Sequence, residues 1–448
     1  MKRTITAWQE DQGVCVKGVT IAGDNAQKDI YVDNGTIAQI VDSGAGIESP
    51  PSNTVQFHEI DAQGCIAIPG LVDLYSRCRE PGLTRKGNIA SESRAALAAG
   101  FTQVLCSPDT VPAVDSVATV ELISHLSSAV EGGASVLPMA ALTTGLKGEQ
   151  LSELATLQAA GCPLASQADQ PVLSTTVLYS AMEYASSFNM PLLLNARDAQ
   201  LGVDGCAHAG AIATQLGLPA IPVAAETVAL LKLIELCRET GCALHISRVS
   251  SARAVEYIND AKQDGLPITC DVGLHHLLYV DEMLAGYDAS FHSAVPFRSR
   301  DDRQALRAAL ASGVIDAICS DHAPHDVDAS LAPFPATEPG LSAYKWFMPL
   351  LLQVPELTGM SFDALLSRVH DAPLRVLGKP PVDPFMVGKQ ASFVVLDTKA
   401  EFSLEEPAMP SASLNNPLVH HSPDELELSA LQGAVKAVLH DGFTTAFD

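Results

Sequence analysis

IAIPGLVDLYSRCREPG, residues 66–82, opens with an apolar run, IAIPGLVDLY (66–75), that leads into serine and arginine and turns at Pro81-Gly82. A short continuous apolar run bounded by turn residues reads as a strand buried on both faces. Seven further runs share this character: FTQVLC (101–106), SVLPMAAL (135–142), CPLAS (162–166), PLLLNA (191–196), CALHIS (242–247), PITCDV (267–272) and IDAICS (315–320). Segments of helical period over 88–99, 115–130, 150–160, 173–188, 223–240 and 251–264 separate most of them. Short apolar runs joined by helices imply a parallel sheet, and eight such units predict a (β/α)8 TIM barrel. A doubly wound open sheet is the alternative, but no glycine-rich phosphate loop follows the first strand.

The flanks read differently. Residues 13 to 63 carry short alternating strands (VKGVTIAG, DIYVDNGTIAQIV), with Asp-Asn-Gly as a hairpin turn. The far end repeats the character in KQASFVVLD (389–397) and GAVKAVLHDGFTTAF (433–447). The expected organisation is therefore a small β-domain built from both chain ends, 1–64 and 384–448, with the barrel at 65–383 inserted between them.

Composition narrows the function. Of 448 residues, 47% are hydrophobic and 18% charged, which argues for a compact globule and against a disordered scaffold. The formal net charge of −25 disfavours nucleic acid and anionic membrane surfaces. The ten cysteines contain no Cys-x-x-Cys pair, and most stand in apolar strand-like runs, as buried thiols of a reducing compartment do. The opening MKRTITAWQEDQG has no apolar core of signal-peptide length, and no apolar run is long enough to span a bilayer. The expectation is a soluble cytoplasmic protein.

In a barrel of this kind, chemistry belongs at the C-terminal strand ends. Strand 1 ends at Tyr75 and Arg77, with Arg79 just beyond, and strand 2 leads to Ser107-Pro108-Asp109-Thr110. Strand 4 ends in Ser166-Gln167-Ala168-Asp169, strand 5 in Asn195-Ala196-Arg197, strand 6 in Arg248 and strand 8 in Asp321; His275-His276 lie near strand 7. Two imidazoles two residues apart on an extended chain point the same way and can grip one metal ion. At that spacing on strand 1 stand a phenol and a guanidinium. A single arginine or tyrosine at a strand end is ordinary surface chemistry; arginines gathered at several ends, beside one acid, are not.

The motifs GLVDL, REPG (79–82), SPDT.PAVDS, GLPAIPVAAETV, LHIS.VS, HHL, VPFR..DDR and above all SDHAPHD are those of one family. Along nearly its whole length the chain resembles a type I dihydroorotase of the amidohydrolase superfamily. The resemblance implies an enzyme that closes N-carbamoyl-aspartate to dihydroorotate, and reopens it, with zinc at the strand ends. Carried over position by position, the metal set is missing. Tyr75 and Arg77 replace the strand 1 His-x-His, Gln167-Ala168 stand at the strand 4 acid or modified lysine, Asn195 at the strand 5 histidine and Arg248 at the strand 6 histidine. Asp321 alone matches, as metal ligand and general base. Of the substrate-binding set Arg79, Arg298 and His325 match, while Asp109 replaces an asparagine and opposes an acidic substrate.

A guanidinium stays protonated and has no lone pair for a metal. Without zinc, Asp321 would be a buried carboxylate lacking a counter-charge, so Arg77 or Arg248 is expected to neutralise it. A site rebuilt from His275, His276, His292, His322 and His325 would need about three of them to converge. The expectation is a pseudoenzyme with its zinc lost, no functional catalytic residue and Asp321 vestigial. It resembles the non-catalytic dihydroorotase-like chains that some bacteria carry beside an active dihydroorotase in pyrimidine biosynthesis. The resemblance implies a hetero-oligomer with the aspartate carbamoyltransferase catalytic chain. The other readings are an active cyclic-amide hydrolase with a remodelled metal site, and a module that senses carbamoyl-aspartate or dihydroorotate through Arg79.

Overall fold

The computed structural model describes residues 3–7, 12–46, 56–172, 174–402, 411, 413 and 415–447. Residues 1–2 and 8–11 of the opening stretch, Leu173 at the head of the helix expected over 173–188, and 47–55, 403–410, 412, 414 and 448 of the two end segments lie outside them.

Eight apolar runs form parallel strands: Leu71–Ser76 (β1), Phe101–Cys106 (β2), Ser135–Pro138 (β3), Ala165–Ser166 (β4), Leu192–Asn195 (β5), Leu244–Ser247 (β6), Ile268–Gly273 (β7) and Ala317–Cys319 (β8). β1 pairs with β2 and β2 with β3. After Met139 the third run resumes at Ala140–Ala141, which pairs with β4, and the ladder then passes through β5, β6 and β7 to β8. His322, just past β8, bridges Ser76 in parallel sense, and the Arg77 backbone N–H donates to the His322 carbonyl at 2.8 Å. That pairing closes the cylinder.

Its interior is filled by Val72, Leu74, Tyr75, Leu105, Met139, Leu164, Leu193, Ala317 and Cys319, all buried, so the barrel is a packed core and not a pore. Helices separate the strands where helical periodicity was read, among them Ile89–Ala98, Val117–Ser128, Thr175–Ser187, Val223–Thr240 and Ala252–Gln263. The first starts at a reciprocal cap in which the Asn88 side chain accepts from the Ser91 N–H while Ser91 accepts from the Asn88 N–H.

The run at 66–75, expected as one strand, is two. Ile66–Pro69 pairs with Phe393–Glu401 and with Gln12–Ile21, and so belongs to the sheet made by the chain ends; the barrel begins at Leu71. Among the described residues that sheet has nine strands, and its outer edge joins Arg3–Ala7 to Phe443–Phe447. Its hairpins turn at Asn34-Gly35 and Asp441-Gly442, each pair with positive φ at both residues as a type I′ turn requires. CPLAS also proves shorter than read, since only Ala165–Ser166 is extended. The ten cysteines are buried and free, and no described helix is long and apolar enough to cross a membrane.

Gly70 is the joint between the two sheets. A Cβ there would stand 2.3 Å from the side chain of Thr102 on β2, whose own hydroxyl donates to the Leu71 carbonyl. Gly70→Ala should therefore lower stability by about 1–3 kcal/mol through overpacking. Urea denaturation checks it; an unchanged midpoint would show that Thr102 yields without cost.

Candidate functional site

Five strand ends deliver charged side chains to the centre of the mouth. Arg248, beyond β6, is fully buried; its Nη1 donates to Asp321 Oδ1 at 2.9 Å and its Nη2 to Asp169 Oδ1 at 2.5 Å. Arg77, beyond β1, donates from Nε to Asp109 Oδ2 at 2.9 Å and from Nη2 to Asp169 Oδ2, and its Nη1 lies 3.9 Å from Asp321 Oδ1. The ring of Tyr75 lies beneath both cations, with its centroid 3.8 Å from Arg248 Cζ and 5.2 Å from Arg77 Cζ. The Tyr75 hydroxyl accepts from Arg77 Nη2 and from Ser107 Oγ, each at 3.2 Å.

The expected neutralisation of Asp321 thus involves both arginines, with Arg248 the nearer. Two arginines, however, need more than one carboxylate, and Asp109 and Asp169 supply the balance. Burial pushes the Asp169 carboxyl up, but Arg248 and Arg77 outweigh it and hold the group well below the usual carboxylate range. The same contest, decided by Arg77, lowers Asp109. Burial opposes both guanidinium charges, and the facing acids and phenol overcome it, so both cations are held more firmly protonated than usual.

Two expectations need correction. Asp109 does not face an empty substrate position; it is the counter-ion of Arg77. The strand 4 contribution is not Gln167-Ala168 but Asp169. Gln167 is buried but turns away from the arginines, accepting from Thr143 Oγ1 at 3.0 Å and donating to the Leu146 carbonyl at 2.9 Å. Ala168 takes a left-handed φ of 53°, which swings the next side chain inward. The signal for Asp169 was charge stoichiometry: it is the one acid in the run 166–169.

The remaining candidates stand apart from this network. Asn195 donates to the Ser247 carbonyl at 3.4 Å. Arg79 is buried, donating to the Pro324 carbonyl at 2.9 Å and lying 3.1 Å from His325 Nε2; burial and the nearby Arg77 press its guanidinium down to about 10. Arg298 donates to Ser250 Oγ at 3.1 Å and the Ile221 carbonyl at 3.0 Å, and its nearest carboxylate is Glu226 at 3.9 Å. The histidines do not converge. His322 is held by Glu92 at 2.8 Å and the Ala343 N–H at 2.9 Å, His292 by Thr337 at 2.7 Å, and His276 by the Val295 carbonyl at 3.0 Å. His275 stacks on Tyr279.

The comparisons with known proteins agree with one another. The model of the dihydro-orotase-like family matches residues 64–254. A dihydroorotase-like protein of Pseudomonas putida is 40% identical over 92% of this chain and 93% of its own. The chain belongs to the dihydroorotase-like family. A dihydroorotase of Syntrophotalea carbinolica is 35% identical over 87% of this chain and 89% of its own. The L-hydantoinase structure from Arthrobacter aurescens superposes with a TM-score of 0.77 at 20% identity, covering 96% of this chain and 94% of that one, and shares the barrel with its β-domain.

In this dihydroorotase-like chain the residues at the family's metal positions do not fit zinc. Arg77 and Arg248 offer no lone pair, and Asp321 already accepts from Arg248. Among the described residues, no group of three or more His, Cys, Asp or Glu is disposed to hold a metal ion.

Removing one partner of a buried ion pair leaves the other charge stranded. Arg248→Met should therefore cost about 3–5 kcal/mol in urea denaturation at neutral pH. Adding Asp321→Leu should recover part of that loss; a double variant no better than the single one would show that Asp321 does not depend on Arg248.

Acid should unfold the protein by a separate route. Burial presses His275 from 6.5 to about 3, and His276, His292, His325 and His440 to about 4. The unfolded chain takes up protons that the folded chain refuses. The stability these groups confer is full above their unfolded value of 6.5 and is lost as pH falls from there toward 4. The loss should reach about 1.4 kcal/mol per pH unit for each histidine that titrates. Asp169 and Asp109 add their own loss only below about pH 4. Urea midpoints measured from pH 8 to 5 check it; a midpoint constant to pH 5 would refute the histidine account.

Proposed function

We propose that this chain is a non-catalytic member of the dihydroorotase-like family, a pseudoenzyme acting in the cytoplasm as a structural subunit of an aspartate carbamoyltransferase complex in pyrimidine biosynthesis. One observation carries the non-catalytic reading: Asp321, which in the family would serve as metal ligand and general base, accepts from Arg248 at 2.9 Å and has Arg77 at 3.9 Å. A carboxylate oxygen that already accepts from one guanidinium and faces a second is not free to ligate a metal ion or to meet a substrate. Nor does an ordinary amide hydrolysis proceed without a group that polarises the carbonyl. The subunit reading rests on the resemblance to non-catalytic chains that assemble with the transferase, and on a barrel that still offers a large rigid surface. A net charge of −25 supports assembly with a differently charged partner over close self-association.

Co-expression with the aspartate carbamoyltransferase catalytic chain of the same source tests both parts. The expected result is one co-eluting complex on size exclusion, substoichiometric zinc and no dihydroorotase turnover. Separate elution beside a transferase fully active alone would remove the subunit reading and favour a sensing module. One zinc per chain, lost together with activity on chelation, would remove the non-catalytic reading.

A further inference from the structure

Beside the ion network lies a small cleft that the network does not use. It is lined by Asn195, Arg197, Glu226, Arg248, Ser250 and Arg298, among others, on the side of the mouth formed by β5 and β6. Its enclosed space is about 30 Å³, too little for a six-membered ring but enough for one or two waters or the head of a small ion.

Much of the lining is apolar, from Ile221, Ala225, Ile246, Val295 and Pro296, but its charged groups are three arginines against one acid. Arg197 has no carboxylate within 4 Å among the described residues. Arg298 is buried and hydrogen-bonded to Ser250 Oγ and the Ile221 carbonyl, but its nearest carboxylate is 3.9 Å away, so its charge is weakly countered. Arg248 Nε is buried without a hydrogen-bond partner, although both terminal nitrogens of the same guanidinium are taken by Asp321 and Asp169. The one acid in the lining, Glu226, is already engaged by the Ser250 N–H at 2.7 Å and the Ser250 hydroxyl at 3.0 Å. Three guanidiniums against one carboxylate that is already engaged leave the cleft with an excess of positive charge, which favours an occupant that accepts hydrogen bonds and carries negative charge.

We propose that this cleft is a binding site for a small planar oxyanion of the carboxylate or bicarbonate type, held between Arg197, Arg298 and the Asn195 amide. Guanidiniums match the paired oxygens of such an anion, and the Asn195 amide, which spends one N–H on the Ser247 carbonyl, keeps a second as a neutral donor. The family places a metal-binding histidine at Asn195 and another at Arg248, so the inferred occupant has the opposite charge to the one replaced. The proposal is independent of assembly with the transferase: a chain that binds no partner can still hold the anion, and a subunit can lack it.

Titration calorimetry and thermal melts of the full chain with sodium formate and with sodium bicarbonate, at constant ionic strength set by the sulfonate sodium isethionate, test it. The expected result is saturable millimolar binding of one formate per chain with a matching rise in melting temperature. Arg197 is half-buried and makes no ion pair with the network, although its charge acts on Asp169, so Arg197→Gln should fold normally by circular dichroism and bind formate about tenfold more weakly. Bicarbonate competing with formate would extend the site to carbonate chemistry, and bicarbonate failing to compete would restrict it to carboxylates. Bromide soaked into crystals should give an anomalous peak between Arg197 and Arg298. A non-saturating formate response equal to that of isethionate, or Arg197→Gln binding as tightly as the natural chain, would overturn the proposal.

Discussion

A fully buried guanidinium is the constraint on which the mouth of this barrel depends. Arg248 cannot shed its proton, and burying it alone would cost several kcal/mol, so the surrounding strand ends must deliver carboxylates to it. They do so from β4 and β8, as Asp169 and Asp321. Arg77 then ties the same two acids to Asp109 beyond β2. A bidentate cation on one strand and an acid on another form a cross-link, and here the cross-links join the ends of β1, β2, β4, β6 and β8. The arrangement gathers negative charge around a central positive charge, as a metal centre does. Its cations, however, are covalently part of the chain and offer no open coordination position.

The backbone was shaped to suit this arrangement. Arg79, Ala168, Arg248 and Asp321 all take a left-handed φ, between 47° and 63°, and each stands just beyond a barrel strand. An L-residue in that region costs about 1–2 kcal/mol, so each needs local support. Beneath Arg248, its own N–H donates to Asp271 at 2.6 Å. Ala168 donates to Ser166 Oγ at 3.1 Å, and His322, after Asp321, donates to Ser320 Oγ at 3.0 Å. Ser320 is held in turn by Asp73, which also accepts from Tyr344 at 3.0 Å and whose carboxyl burial pushes up to about 6. A second ring of acids, Asp73 and Asp271, therefore supports the turns that aim the first.

The residues that would bind substrate in an active relative are now held by protein groups. Arg79 and His325 face each other across 3.1 Å, and Arg298 is tied to Ser250 and Ile221. Downstream of Ser413, the chain returns over this side of the barrel. Asn415 donates to the Ala323 and Gly340 carbonyls, at 3.0 and 2.7 Å, and so holds the segment after β8 in place. The C-terminal segment thus belongs to the mouth as well as to the β-domain sheet.

The amino-acid sequence by itself determined the architecture. Eight apolar runs alternating with helical-period segments fixed a parallel barrel, because strands buried on both faces have no polar alternation to disguise them. Paired Asn-Gly and Asp-Gly turns marked the flanking hairpins. The motif SDHAPHD located Asp321, and spacing placed Tyr75, Arg77, Asn195 and Arg248 at the strand ends. What it could not decide was which acids the arginines would meet. Asp109 and Asp169 lie 32 and 92 residues from Arg77, and no local pattern links such positions. That Asp169 and not Gln167 meets the arginines goes with a left-handed alanine between them, a conformation that composition does not announce. Nor could it foresee the break at Gly70, since residues 66 to 75 are equally apolar whether one sheet buries them or two. Those choices belong to the tertiary structure, where the need to pair every buried charge selects among side chains that the sequence only makes available.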